Sequence, residues 1–161
     1  NNYVGGLLVT GFNVPKPNHP LINTPLKPVI HHRGTVAQNN PRTIYEYMSD
    51  ETYGLGLYVG LTVHDILGSW SSWPVHEYEI NALTAPIALY PDFSEKFAFI
   101  TDPMGSWGLQ ARAAANGDKS VLRFKDSDII SIPLGAHPNV AAPATRLAYF
   151  WAYGGAPRKD F

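Results

Sequence analysis

The chain has 161 residues, of which 45% are hydrophobic, 12% aromatic and 16% charged, with 14 Gly, 14 Pro, no Cys and a formal net charge of -1. That length fits one compact domain of roughly 100 to 150 residues plus an appendage, and it excludes two large domains. The lack of cysteine excludes disulfides, thiolate metal sites, iron–sulfur ligation and a Cys nucleophile, so any metal has to be held by His and carboxylate. No stretch approaches the roughly 20 apolar residues of a membrane span, and Asn1-Asn2-Tyr3 lacks the basic start of a signal peptide. The expectation is a soluble protein, cytoplasmic or part of a soluble assembly; since residue 1 is not Met, processing or truncation is open.

Charge and proline divide the chain. Residues 1–45 hold Lys16, Lys27, Arg33 and Arg42 and no acid, leaving 8 basic and 13 acidic groups, about -5, for the remainder. The same region carries Pro15, Pro17, Pro20, Pro25, Pro28 and Pro41, whose fixed φ and missing N–H favour extended over helical backbone. Residues 1–41 therefore read as an extended basic arm and 42–161 as an acidic folded domain. Such an arm suits a contact with the acidic body of a neighbouring copy, hence a homo-oligomer or larger assembly. Nucleic acid is disfavoured, because four basic groups without interleaved aromatics make a weak footprint.

From Arg42 onward the pattern is β. Thr43–Met48, Leu55–His64, His76–Leu83, Lys96–Thr101, Gly108–Ala115, Ser120–Phe124, Asp128–Ile132 and Arg146–Tyr153 are short and rich in Val, Ile, Tyr, Phe and Trp. Turn residues separate them at Gly54, Gly68, Pro91-Asp92, Asn116-Gly117-Asp118 and Leu134-Gly135, and Asn116-Gly117 is the strongest hairpin signal. Eight short strands without long amphipathic helices predict an all-β barrel or jelly roll. The aromatics Trp70, Trp73, Trp107, Tyr149, Trp151 and Tyr153 fit sugar rings but more often fill the interior of such a barrel.

Six histidines are the chemistry candidates. His19 lies among prolines, and the adjacent His31 and His32 point to opposite sides of an extended chain, so none chelates well. His64, before Asp65, reads as a capping or structural hydrogen-bonding group. His76 follows Trp70-Ser71-Ser72-Trp73-Pro74-Val75, and His137 lies in Ile132-Pro133-Leu134-Gly135-Ala136-His137-Pro138. Both stand at strand edges beside turn residues, where a small barrel can aim ligands into its mouth.

These two segments resemble the Gly…His-x-His and Pro-x-Gly…His motifs of cupins, and more narrowly the 5-deoxy-glucuronate isomerase and 5-keto-4-deoxyuronate isomerase family. Glu95-Lys96-Phe97-Ala98-Phe99 resembles its Glu-plus-aromatic strand and Leu109-Gln110-Ala111-Arg112 the strand after it. Phe124 to Pro133 and Leu147 to Gly155 follow in order, so the likeness runs from about Arg42 to Pro157. It implies a single cupin-type double-stranded β-helix, with a divalent metal such as zinc, manganese or iron on His76, Glu95 and His137. The family's fourth ligand position is occupied here by Tyr78, a poor ligand at neutral pH because its phenol has a pKa near 10. A three-ligand site with open positions and a metal-free pocket are therefore both open. That family carries two cupin domains in one chain, and the present chain resembles the second; the first is either lost or upstream.

The activity implied by the resemblance is aldose–ketose isomerisation of a deoxy uronic acid, a small carbohydrate acid, within carbohydrate metabolism. Its chemistry assigns Arg112 or Lys96 to the substrate carboxylate and Tyr78 or Glu79 to proton transfer. An alternative reading is a catalytically inactive jelly roll serving as a structural, assembly or decoration module. Tyr78, the single domain and the basic arm favour it; the joint presence of His76, Glu95 and His137 opposes it. A third reading, an iron cupin with two His and one carboxylate, rests on ligand count alone.

Overall fold

The computed structural model describes residues 27–48, 57–73, 94–113, 119–132 and 136–154, and for residues 57, 94–97, 132, 153 and 154 the backbone path alone. Among them run β1 (Val29–Arg33), β2 (Arg42–Met48), β3 (Leu57–His64), β4 (Trp70–Ser71), β5 (Ser94–Asp102), β6 (Trp107–Ala113), β7 (Lys119–Lys125), β8 (Ile129–Ile132), β9 (Asn139–Ala141) and β10 (Arg146–Gly154). The one helical feature among the described residues is a 3-10 turn at Val36–Gln38. No helix of the described residues is long and apolar enough to cross a membrane.

Two sheets form, ordered β1-β2-β3-β10-β5-β8 and β4-β9-β6-β7, with every pairing antiparallel. This is the all-β jelly roll that the strand pattern predicts. Seven of the eight predicted segments fall on β2, β3, β5, β6, β7, β8 and β10, and His76–Leu83 lies outside the described residues. The Asn116-Gly117 signal joins β6 and β7, which pair antiparallel from Trp107↔Lys125 to Ala113↔Lys119; the turn itself lies outside the described residues.

The sequence pattern does not anticipate β1. Its five residues lie within the Pro-rich stretch, yet they pair with β2 from Val29↔Glu46 to Arg33↔Arg42 as an edge strand of the larger sheet. The prolines permit this because Pro28 and Pro41 stand just before β1 and β2, where a missing N–H removes no ladder bond. Residues 1–26 of the arm lie outside the described residues. The turn between the strands is held by Thr35, whose N–H donates to Asn40 Oδ1 (2.8 Å), and by Asn39 in the left-handed region (φ 53°).

The sheets meet on aromatic rings. Phe99 of β5 stacks on Phe124 of β7, centroids 3.7 Å apart and 9° from parallel, and Leu147, Tyr149, Trp151 and Ala141 complete the buried cluster. Trp151 and Tyr149 are interior fill. Trp70 and Trp73 instead remain partly exposed and pack on one another, while Arg123 lies over the Trp107 ring. A cross-sheet hydrogen bond of 2.6 Å joins Tyr149 Oη to Ser71 Oγ.

Gly60 of β3 makes room for Trp151. The two are register partners, the indole lies over the glycine, and its Nε1–H donates to Thr62 Oγ1 (3.1 Å). A methyl group at residue 60 would overlap the indole, so Gly60→Ala has to displace the largest ring of the interior. The substitution is expected to cost about 1–3 kcal/mol, seen in urea unfolding as a lower midpoint at unchanged slope.

Candidate functional site

The small sheet carries the described part of the site. Its inner face alternates along β6, where Gly108 and Gln110 are buried and Arg112 is half-buried, and along β9, where Asn139 and Ala141 are buried. The ladder pairs Gln110 with Asn139 and a bridge joins Ala113 to Ala136. The same register sets Arg112 opposite His137, and cross-strand partners share a face. Two residues singled out from the sequence, a cation for a carboxylate and a metal-ligand histidine, are thus brought together.

His137 is 1% exposed, and its backbone is fixed by Gln110. The Gln110 Nε2 group donates to the carbonyls of His137 (2.7 Å), Ala111 (2.9 Å) and Pro138 (3.1 Å). Three carbonyls settle the amide's orientation, because the reverse placement would set oxygen against oxygen. Gln110 Oε1 therefore faces away from them, buried and without a hydrogen-bond partner. Arg112 Nε is likewise enclosed and unpartnered.

Glu95 and Lys96 lie on β5, where Glu95 pairs with Tyr153 and Ile132, and Lys96 with Ala152 and Ser131. Their side chains lie outside the described part, as do His76, Tyr78 and Glu79 altogether. Among the described residues no three His, Asp or Glu side chains converge as a metal needs. The path toward His76 is nevertheless anchored. Ser72 adopts a left-handed conformation (φ 53°), and the Trp73 carbonyl accepts from Asn40 Nδ2 (3.2 Å) and Arg42 Nη1 (3.3 Å). Arg42, placed by sequence in a basic region, is buried; its Nη1 also donates to the Asn40 carbonyl, and burial lowers its pKa.

His64 has the structural role expected of it, with an unforeseen consequence. It is fully buried, and its Nδ1 lies 3.0 Å from the Ser69 carbonyl and 3.0 Å from Ser69 Oγ. A carbonyl only accepts, so the proton sits on Nδ1 and the neutral ring presents a bare lone pair at Nε2. That atom and the two polar atoms of the neighbouring Asn139 carboxamide make no hydrogen bond of good geometry, although the carboxamide lies close enough to the ring to act on it. Burial pushes the His64 pKa down to about 4; the Arg42 charge acts in the same sense, while Ser69 and Asn139 oppose it. His32, by contrast, is exposed on β1 with Nδ1 3.2 Å from Thr43 Oγ1, and His31 is half-buried beside it. His19 lies outside the described residues.

Comparison with known proteins supplies the lineage. The KduI/IolB family model matches residues 16–160. The chain belongs to that family. A 5-deoxy-glucuronate isomerase of Bacillus velezensis is 26% identical over 124 residues, which make up 75% of this chain and 42% of that protein. The chain thus spans less than half the length of the curated relative it matches. Among solved structures it is similar to an IolB-like protein of Salmonella typhimurium LT2, with a TM-score of 0.69 and 22% identity over 82% of this chain and 48% of that one. An oxalate oxidase superposes with a TM-score of 0.52 and 14% identity over 77% of this chain and 56% of that one. The fold is therefore the cupin jelly roll that the motifs imply.

His64 also dictates a pH dependence. Its folded pKa of about 4 lies below the ordinary 6.5, so its contribution is complete above pH 6.5 and is lost as pH falls toward 4. At that limit the loss is about 3 kcal/mol. In urea unfolding at a series of pH values, the stability gap between wild type and His64→Gln should narrow from pH 7 to pH 4.5. A gap constant with pH would mean that His64 is not held neutral.

Proposed function

We propose that this KduI/IolB-family domain is a metal-dependent sugar isomerase acting on a deoxy uronic acid. The observation that carries the reading is the meeting of His137 and Arg112 on the inner face of a sheet in a chain matched by that family over residues 16–160. The Bacillus relative, named for 5-deoxy-glucuronate, supports the substrate class.

Aldose–ketose isomerisation moves one proton from C2 to C1 and another from O2 to O1, with no net gain or loss. It requires a cation for the carboxylate, a group that carries the proton between the carbons, and exclusion of water from the exchanging proton. Arg112, half-buried on β6, is the cation for the carboxylate, where its fork of donors is stronger than a surface pairing. Lys96 is the second candidate for that role. Tyr78 or Glu79 carries the proton, Tyr78 only with its phenol pKa lowered from about 10.

His76, Glu95 and His137 are the residues that would hold a divalent metal. Two imidazoles and a carboxylate suit zinc, manganese or iron(II), and the enclosed position of His137, its backbone fixed by Gln110, fits a ligand held at fixed geometry. A metal bound there supplies a Lewis acid beside the substrate oxygens. Tyr78, in place of a fourth nitrogen ligand, leaves one more coordination position to water or substrate.

A homo-oligomer through the N-terminal region accompanies this reading, supported by the exposure of Val29 and Ile30 on edge strand β1. The second reading, an inactive assembly module, is favoured by Tyr78 alone among the site residues.

The test is metal content and turnover together. Protein prepared without chelator should carry near one equivalent of a first-row divalent metal, and His137→Ala should lose most of it. The wild type should convert 5-deoxy-glucuronate, with Arg112→Met raising KM by at least about tenfold. Absence of both metal and turnover after reconstitution would hand the chain to the assembly reading. Light scattering after size exclusion that returned a single 17.7 kDa particle at all concentrations would remove the oligomer.

A further inference from the structure

Six buried side-chain polar atoms among the described residues have no hydrogen-bond partner, and five of them are close in the fold: Asn139 Nδ2 and Oδ1, Gln110 Oε1, Arg112 Nε and His64 Nε2. Asn139 is the centre of this group. Its register partners are Ser71 on β4 and Gln110 on β6, both buried, and the Arg112–His137 pair is the next step of the same ladder. From the opposite sheet come His64, beside Asn139, and Tyr149, whose hydroxyl binds Ser71. A polar belt thus crosses the interior one step from the proposed metal ligand.

The belt is costly to the fold. A buried donor or acceptor left without a partner costs about 1–3 kcal/mol, and such atoms are few in a folded domain. Their chemistry is specific as well. Gln110 has spent its N–H groups on carbonyls and offers only an acceptor, His64 Nε2 offers only a lone pair, Asn139 offers one donor and one acceptor, and Arg112 offers a donor with charge. Neutral acceptors interleaved with a donor match hydroxyl groups, each of which gives and takes one hydrogen bond; the guanidinium beside them matches a carboxylate.

We infer that Asn139, with Gln110 Oε1 beside it, forms the subsite that reads a hydroxyl group of the polyhydroxy acid, so that the belt completes its hydrogen bonds on the ligand. The inference rests on the isomerase reading for the identity of that acid. A site whose buried amides are satisfied by a substrate hydroxyl rejects the analogue that lacks it, because the amides are then left bare.

The variant that isolates this role is Asn139→Leu, similar in size and without polar atoms. An amide that served the fold would lower stability when removed. An amide whose approach to His64 lacks a well-formed hydrogen bond should leave the thermal midpoint equal to or above the wild type's, since replacing such a buried polar group by an apolar one is neutral or stabilising. Binding of 5-deoxy-glucuronate, measured by calorimetry on the full chain, should weaken by about tenfold or more. Against a set of analogues each lacking one further hydroxyl, the wild type should reject at least one strongly, and Asn139→Leu should bind that analogue and the parent alike.

That ratio decides even if the variant is destabilised, because it compares two ligands on one protein. Unchanged discrimination in Asn139→Leu would overturn the inference, as would a lower midpoint with intact affinity. The two readings fail separately. Binding without turnover removes the isomerase and leaves the subsite; turnover with unaltered discrimination in the variant removes the subsite and leaves the isomerase; no binding of the acid by the wild type removes both.

Discussion

The stack of Phe99 on Phe124 sets the distance at which the two sheets close, and the contents of the interior follow from it. Each ring comes from a different sheet, so their face-to-face contact holds β5 and β10 against β6 and β7 and leaves Leu147, Tyr149 and Trp151 to fill the space alongside. Rings of this size each remove of the order of 150–250 Å² from water. The apolar filling comes mainly from β5, β7 and β10, while the inner positions of β4, β9 and much of β6 are polar. The favourable burial in one half offsets the desolvation of amides and hydroxyls in the other.

Hydrogen bonds between side chains and carbonyls turn this closed shell into a positioned one. Gln110 grips the carbonyls of His137 and Pro138, while Asn40 and Arg42 grip that of Trp73. Trp73, His137 and Pro138 lie outside the ladders of the named strands, and buried donors fix their backbone instead. A guanidinium inside a protein is costly unless its donors are used. The bonds to the Asn40 and Trp73 carbonyls supply part of that compensation for Arg42, and burial still lowers its pKa. The edge strand β1 joins the scheme, because the turn that follows it delivers both Asn40 and Arg42.

Most strands were legible in the sequence because they obey a simple rule: runs such as Leu147-Ala148-Tyr149-Phe150-Trp151 mix β-branched, aromatic and small residues between turn signals. Strands β4 and β9 were not, since two or three residues carry no periodicity, and β1 was hidden by the Pro-rich stretch around it, although Pro28 and Pro41 stand just before β1 and β2. His76, Glu95, His137 and Arg112 were singled out through a family likeness; of these the side chains of His137 and Arg112 lie in the described part, and the register that sets them opposite one another emerged from the ladder. Gln110 entered the sequence reading only as part of the family-like segment Leu109-Gln110-Ala111-Arg112, with no role of its own, and Asn139 gave no signal. A lone amide between apolar neighbours reads equally as a surface position, and only the pairing of β6 with β9 reveals that both are enclosed. His64 shows the same limit: its position beside Asp65 suggests a hydrogen-bonding role, but the tautomer follows only from the Ser69 carbonyl at 3.0 Å.

The interior also separates the two readings of the protein. A jelly roll that serves only in assembly works through its outer faces and sheet edges, and its inside is best filled with side chains that leave no polar atom unpaired. Nothing in such a role explains why polar atoms of two amides, an imidazole and a guanidinium are left without a well-formed hydrogen bond beside a buried histidine. An enzyme that must hold a hydroxylated acid away from water needs that arrangement, since hydrogen-bonding capacity left unused by the fold is available to the ligand. Tyr78 weakens the case for a four-ligand metal site but leaves this argument intact, because the polar belt is built from β3, β6 and β9 and depends on no residue of the His76–Tyr78 segment.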